Sequence, residues 1–121
     1  MAAPNLVNVA TITAKSVQAA LDTTLTTEIL ANASSSGKVF KINNILVANI
    51  DGTNSADASV AITKSGGSPI FIAYTVAVPA DSTLVVVDKN TSLYLEEGDN
   101  IEAGASAASD LTITINYEEL S

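Results

Sequence analysis

From Leu111 to Glu118 the chain alternates without a break. Leu111, Ile113, Ile115 and Tyr117 are apolar, and the intervening Thr112, Thr114, Asn116 and Glu118 are polar. A repeat of two collects the apolar set on one face of a β-strand, whereas a helix would scatter it around its axis. Ile70, Ile72, Tyr74, Val76 and Val78 alternate in the same way with Phe71, Ala73, Thr75 and Ala77. Val, Ile and Thr dominate both runs, and their branched Cβ favours strand over helix. In the second run the isoleucine side is expected to face a core.

The same rule predicts strands over residues 5–14, 25–31, 39–49, 58–64, 82–87, 92–95 and 100–105. Residues 16–22 read as a strand rather than a helical turn. The 39–49 run changes phase around Asn43-Asn44, which predicts a bulge or kink. Ser65-Gly66-Gly67-Ser68 predicts a hairpin between its neighbours, because glycine reaches positive φ without steric cost. Turn-forming residues separate the other runs at Ser34–Gly37, Asp51–Asn54, Pro79–Asp81, Asp88–Asn90 and Glu97–Asn100. Eight to ten short strands in 121 residues predict an all-β fold, an antiparallel sandwich of jelly-roll-like form. A short arm, residues 1–5, precedes one domain, residues 6–121.

Composition then says where such a sandwich would sit. Only 15% of residues are charged, against about 25% in average soluble domains, and the mean hydropathy is +0.34. A chain this short hides only roughly two-thirds of its unfolded surface. The excess of apolar and small neutral residues is therefore expected to lie against other subunits. Candidate interface residues are Pro4 and Asn5 in the arm, and Phe71, Ala73 and Ala77 on the strand face opposite the isoleucines.

The net charge is −8, with five lysines and no arginine, which argues against a nucleic-acid partner. The longest apolar runs are strand-length, so no membrane-spanning helix is expected. The first residues carry neither a basic nor an apolar signal region, so synthesis in a cytoplasm is expected. The sequons Asn32-Ala33-Ser34 and Asn90-Thr91-Ser92 are read as chance matches.

Chemistry is scarce. With neither histidine nor cysteine, the commonest general base and thiol nucleophile are missing. No phosphate-cradling glycine loop is present, because Gly66-Gly67 leads into a strand rather than a helix. Carboxylates remain. Glu96, Glu97, Asp99 and Glu102 cluster about one turn, and Glu96, Glu97 and Asp99 are the weak candidates for a metal site. A solvated acidic turn is the preferred reading. The 51–57 segment has oxygen-bearing side chains at alternate positions but lacks the glycine and terminal acid of a calcium loop. No cofactor is expected, and the chain is not expected to be an enzyme.

Several stretches together resemble a known group: Ala3-Pro4-Asn5 to Thr13, Ser36-Gly37-Lys38-Val39-Phe40-Lys41-Ile42-Asn43, Val78-Pro79-Ala80-Asp81-Ser82-Thr83-Leu84, Leu93 to Asp99, and Asn116-Tyr117-Glu118-Glu119. The chain is similar, over nearly its whole length, to small virion structural proteins of tailed marine bacteriophages, particularly those of cyanobacteria. The resemblance implies a capsid decoration (cement) protein on the outer surface of the head. It would bind across major capsid protein subunits and associate with itself, with a trimer favoured. A neck, tail or fibre-associated component is the first alternative. A glycan-binding module for the host surface is the second, and would need solvent-facing aromatic side chains.

Overall fold

The computed structural model describes residues 4–121, and for residues 26–28 the backbone. Residues 1–3 of the expected arm lie outside the described residues. Nine strands form: β1 (Ile12–Ala20), β2 (Thr26–Ala31), β3 (Val39–Asn49), β4 (Ala56–Thr63), β5 (Ile70–Val78), β6 (Thr83–Val87), β7 (Leu93–Leu95), β8 (Asn100–Ala105) and β9 (Leu111–Leu120). One sheet has the order β1-β9-β3-β6, with β7 also on β3, and the other has β2-β8-β4-β5. Every pairing is antiparallel. Apart from the β4–β5 hairpin and the β6–β7 step, consecutive strands cross between the sheets, which gives a jelly-roll-like sandwich.

β6 and β7 are two halves of one edge position. β7 pairs with Phe40–Ile42 and β6 with Ile45–Ala48 of the same long strand. Between them Lys89–Thr91 makes a 3₁₀ turn. Asp88 caps it by accepting from the backbone N–H of Asn90 (2.9 Å) and Thr91 (3.1 Å). β3 itself shifts register between Ile42 and Asn44, where the sequence predicts a kink.

The core follows from the alternation. Leu111, Ile113, Ile115 and Tyr117 of β9 turn inward and meet Ile42, Ile45 and Val47 of β3. The second sheet contributes Val60, Ile101 and a lining of small residues, Ala56, Ala58, Ala103 and Ala105. Each fully buried Ile or Leu contributes about 1.5–3 kcal/mol. Two buried asparagines pin the ends of β3. Asn32 donates through Nδ2 to the carbonyls of Lys38 (2.8 Å) and Leu95 (3.1 Å). Asn49 donates to those of Asn54 (3.0 Å) and Val78 (2.9 Å). Asn32, 1% exposed, is out of reach of glycosylation in the folded chain.

The chain start departs from expectation. The predicted strand over 5–14 is instead a 3₁₀ turn, Leu6–Asn8, with β1 beginning at Ile12. Asn5 caps the turn by accepting from the Val7 N–H at 2.9 Å, which competes with extension. The predicted 16–22 strand is the continuation of β1. The N–H groups of Ala10 and Thr11 both donate to the Ser121 carbonyl, at 2.8 and 2.9 Å, tying the two ends of the described chain together.

Candidate docking surface and groove

β5 is an edge strand, and its nine residues include no charged side chain. Its register against β4 slips twice: Ala58 faces Val76, Val60 faces Ala73, and Ala61 faces Phe71. Each slip inserts an extra β5 residue and turns the strand's faces over. Thr75 sits in the first slip at φ 47°, with its N–H donating to Ser59 Oγ at 3.0 Å. A β-branched residue in this left-handed region is a true outlier, and such positions cost of order 1–3 kcal/mol.

The bulges overturn part of the expected interface. Ala73, expected on the outer face, is 9% exposed and packs in the core opposite Val60. Ile70, Ile72, Tyr74 and Val76, expected inside, are exposed instead. Phe71 and Ala77 do face solvent, as does Asn5, while Pro4 is half-buried. The physical reason is the extra residue at each slip, which reverses the in-out sense of the strand between the two slips, so that Ala73 points inward. Ile70 and Val76 keep their sense opposite Ile62 and Ala58 but lie at the uncovered margin of an edge strand. Both faces of this strand are apolar, so hydropathy alone could not choose between them.

Exposed Ile70 and Val76 lie opposite Ile62 and Ala58 at the margin where β5 approaches β6, and Ile72 is exposed between them. Val85 of β6 is exposed on the outer face of the first sheet, opposite Leu46. Leu6, Val7 and Ile12 are exposed near the chain start. On the outer face of the first sheet Ser16, Gln18 and Ala20 of β1 stand opposite Asn116, Thr114 and Thr112 of β9, an uncharged stretch that ends where Ala14 meets Glu118.

On the outer face of the second sheet lies an open groove of about 280 Å³. Phe71 and Tyr74 form one wall, their rings 4.7 Å apart and edge-to-face at 67°. Thr23 and Leu25 form the other. Asp57, Ser59 and Ser106 supply polar groups, with Ser106 Oγ accepting from the Asp57 N–H at 2.8 Å. Gly104 lets the segment before β2 cross the sheet here. A Cβ at Gly104 would stand 2.9 Å from the Thr24 carbonyl oxygen, so a side chain would push that wall away.

The acidic turn is a separate knot. Asp99 is buried, and its Oδ2 lies 2.6 Å from Lys64 Nζ, which also reaches Glu96 Oε1 at 2.9 Å. Asp99 further accepts from the backbone N–H of Glu96 (2.9 Å) and Ser65 (3.2 Å). Glu97 accepts from the Gly37 N–H at 3.0 Å. Gly98, at φ +87°, brings the turn against Ser65, where a Cβ would clash at 2.7 Å. Hydrogen bonds to Asp99 and Glu96 raise the Lys64 pKa above its usual value. The weak metal candidates are thus engaged in holding the β7–β8 turn, Glu96 and Asp99 to the β4–β5 hairpin and Glu97 to the β2–β3 connection. No cluster of three or more acidic side chains spaced for a metal occurs among the described residues. Glu102 is buried on the outer face of the second sheet and accepts a hydrogen bond from the Thr63 hydroxyl.

The 51–57 loop is a turn built on Asp51, which accepts from the N–H groups of Thr53 (2.8 Å) and Asn54 (3.3 Å). Those backbone bonds hold its pKa below the usual aspartate value.

No protein-family model matches the chain, and no curated protein matches it. Among solved structures, a pentameric capsid protein isolated from metagenomic phage sequences is similar at 19% identity and a TM-score of 0.40, over 98% of this chain and 65% of that one. This chain spans less than two-thirds of that protein's length, and a superposition so loose carries no argument about role.

Proposed function

We propose that this chain is a non-enzymatic virion structural protein of a tailed bacteriophage: an outer capsid decoration protein that binds across major capsid protein subunits and stabilises the head. The observation that carries the reading is β5, an uncharged edge strand with exposed Ile70, Ile72 and Val76. An apolar edge of this kind is an aggregation hazard on a solitary protein and an ordinary contact in an assembly. The sequence stretches that resemble phage virion proteins support the class. Contacts of about 800 Å² per partner, repeated at several joints, would raise avidity without one tight site. Self-association that sets this edge against a different surface of the next copy, with Pro4, Asn5 and Ala77 as further contacts, would give a trimer.

Light scattering tests the reading. The expected mass is a multiple of 12.3 kDa, three-fold for a trimer, and Ile72→Lys with Val76→Lys should reduce it to a single subunit. Purified head shells should bind the wild type and not the double variant. A wild-type mass of 12.3 kDa at micromolar concentration, with no binding to shells, would overturn it. The number of copies bound per particle separates a decoration protein, which coats the head, from a neck or tail component.

A further inference from the structure

We propose that the groove on the outer face of the second sheet is a binding site for a neutral saccharide, one or two pyranose rings in size. This stands apart from the assembly role, which rests on the strand edge; of its further contacts only Ala77, opposite Asp57, borders the groove. Tyr74 is 66% exposed and Phe71 41%, yet the two rings are set against each other. They form a fixed apolar wall rather than two free side chains. A pyranose has the complementary form, with a face of C–H groups and a rim of hydroxyls. The apolar face suits an aromatic wall, and the rim needs hydrogen-bonding groups beside it.

The groove supplies that rim. The Asp57 carboxylate lines it and takes no hydrogen bond among the described residues, so its two oxygens are available to adjacent sugar hydroxyls. Ser106 Oγ accepts from the Asp57 N–H and keeps its own proton to donate. Tyr74 and Thr23 add hydroxyls. The volume, about 280 Å³, lies just below the usual range for small-molecule sites, which begins at about 300 Å³, and suits one or two rings rather than a folded partner.

Charge selects the class. No lysine lines the groove, and its one ionisable acid is Asp57. On a chain of net charge −8 this disfavours sialylated, sulfated or phosphorylated sugars. The bulge at Thr75 is what turns Tyr74 outward next to Phe71. The strained residue and the aromatic wall are therefore one feature, as expected where strain is kept for a site.

The test begins with a glycan array of neutral, sialylated and sulfated sugars. Methyl glycosides of the best neutral sugars are then titrated into ¹⁵N-labelled full chain. Amide shifts are expected at residues 57–59, 71–75 and 104–106, saturating at millimolar sugar. Tyr74→Ala and Asp57→Asn, both at the surface, should each weaken binding by roughly tenfold. Tyr94→Ala, an exposed tyrosine on the other sheet, should leave it unchanged. The proposal is overturned by a preference for charged glycans, by shifts confined to other residues, or by binding indifferent to both groove variants. It is equally overturned if no neutral sugar binds, including the case where Tyr74→Ala instead breaks up the oligomer and marks the groove as a subunit contact.

Discussion

Thr75 holds a conformation that its own side chain opposes. At φ 47° a β-branched residue bears the left-handed penalty of about 1–2 kcal/mol, which asparagine tolerates far better. Thr75→Asn should therefore raise stability by about 1 kcal/mol, read as a higher urea midpoint with an unchanged slope. Asn32 is the opposite case. Its amide holds two carbonyls, while its Oδ1 accepts from Ser36 Oγ at 2.6 Å. Asn32→Ala leaves those buried groups unpaired and should cost about 1–3 kcal/mol in the same measurement. Nothing in the sequence distinguished these positions. Asn32 reads as a chance sequon and Thr75 as one more strand threonine, because each owes its role in part to a partner on another strand, Leu95 for Asn32 and Ser59 for Thr75.

At the scale of elements, Glu119 of β9 joins three segments. Its carboxylate reaches Lys15 of β1 at 3.2 Å and Lys38, just before β3, at 3.1 Å. Burial by itself would raise the pKa of Glu119, but the hydrogen bonds from Lys38 and Lys15 outweigh it and the net shift is downward from 4.5. A carboxylate with a depressed folded pKa adds stability above its unfolded value and loses it as pH falls through the folded one. The wild type should therefore lose stability below pH 4.5 more steeply than Glu119→Gln. The difference should be at most about 1 kcal/mol, because both lysines are well exposed, and parallel urea titrations at neutral and acid pH would measure it. The elements themselves were largely legible. The Gly66-Gly67 hairpin, the β3 kink and the alternation of β9 all stand where local residues put them. The phase of β5 was not, because its inward side is decided by the bulges against β4, and apolar residues on both faces conceal them. The start of β1 was lost to a single side-chain cap at Asn5.

The whole molecule carries a net charge of −8, and its cations are largely spoken for. Lys15 and Lys38 serve Glu119, and Lys64 serves Asp99 and Glu96. Repulsion from phosphate should keep the protein from retarding duplex DNA in a gel-shift assay at moderate salt. A salt-sensitive shift would contradict that. The all-β sandwich could be read from period two alone, since alternation reports a buried face whatever its partner. The outer surfaces could not. A groove or an apolar margin arises from strands brought together across the fold, and no local pattern records which of them end up as neighbours.

The two flanks of the sandwich are unlike. Along β1 the backbone runs unbroken through nine paired positions, Ile12 to Ala20, with its far side open. Along the opposite flank β5 is bulged, and β6 and β7 are parted by a capped turn. One side could accept a neighbour's backbone as a further strand, and the other could accept only the shape of its side chains. Copies that met like side to like side would stop at a pair. Copies that joined unlike sides would turn in one sense, and such a turn closes a ring where it divides the full circle and runs on as a filament where it does not.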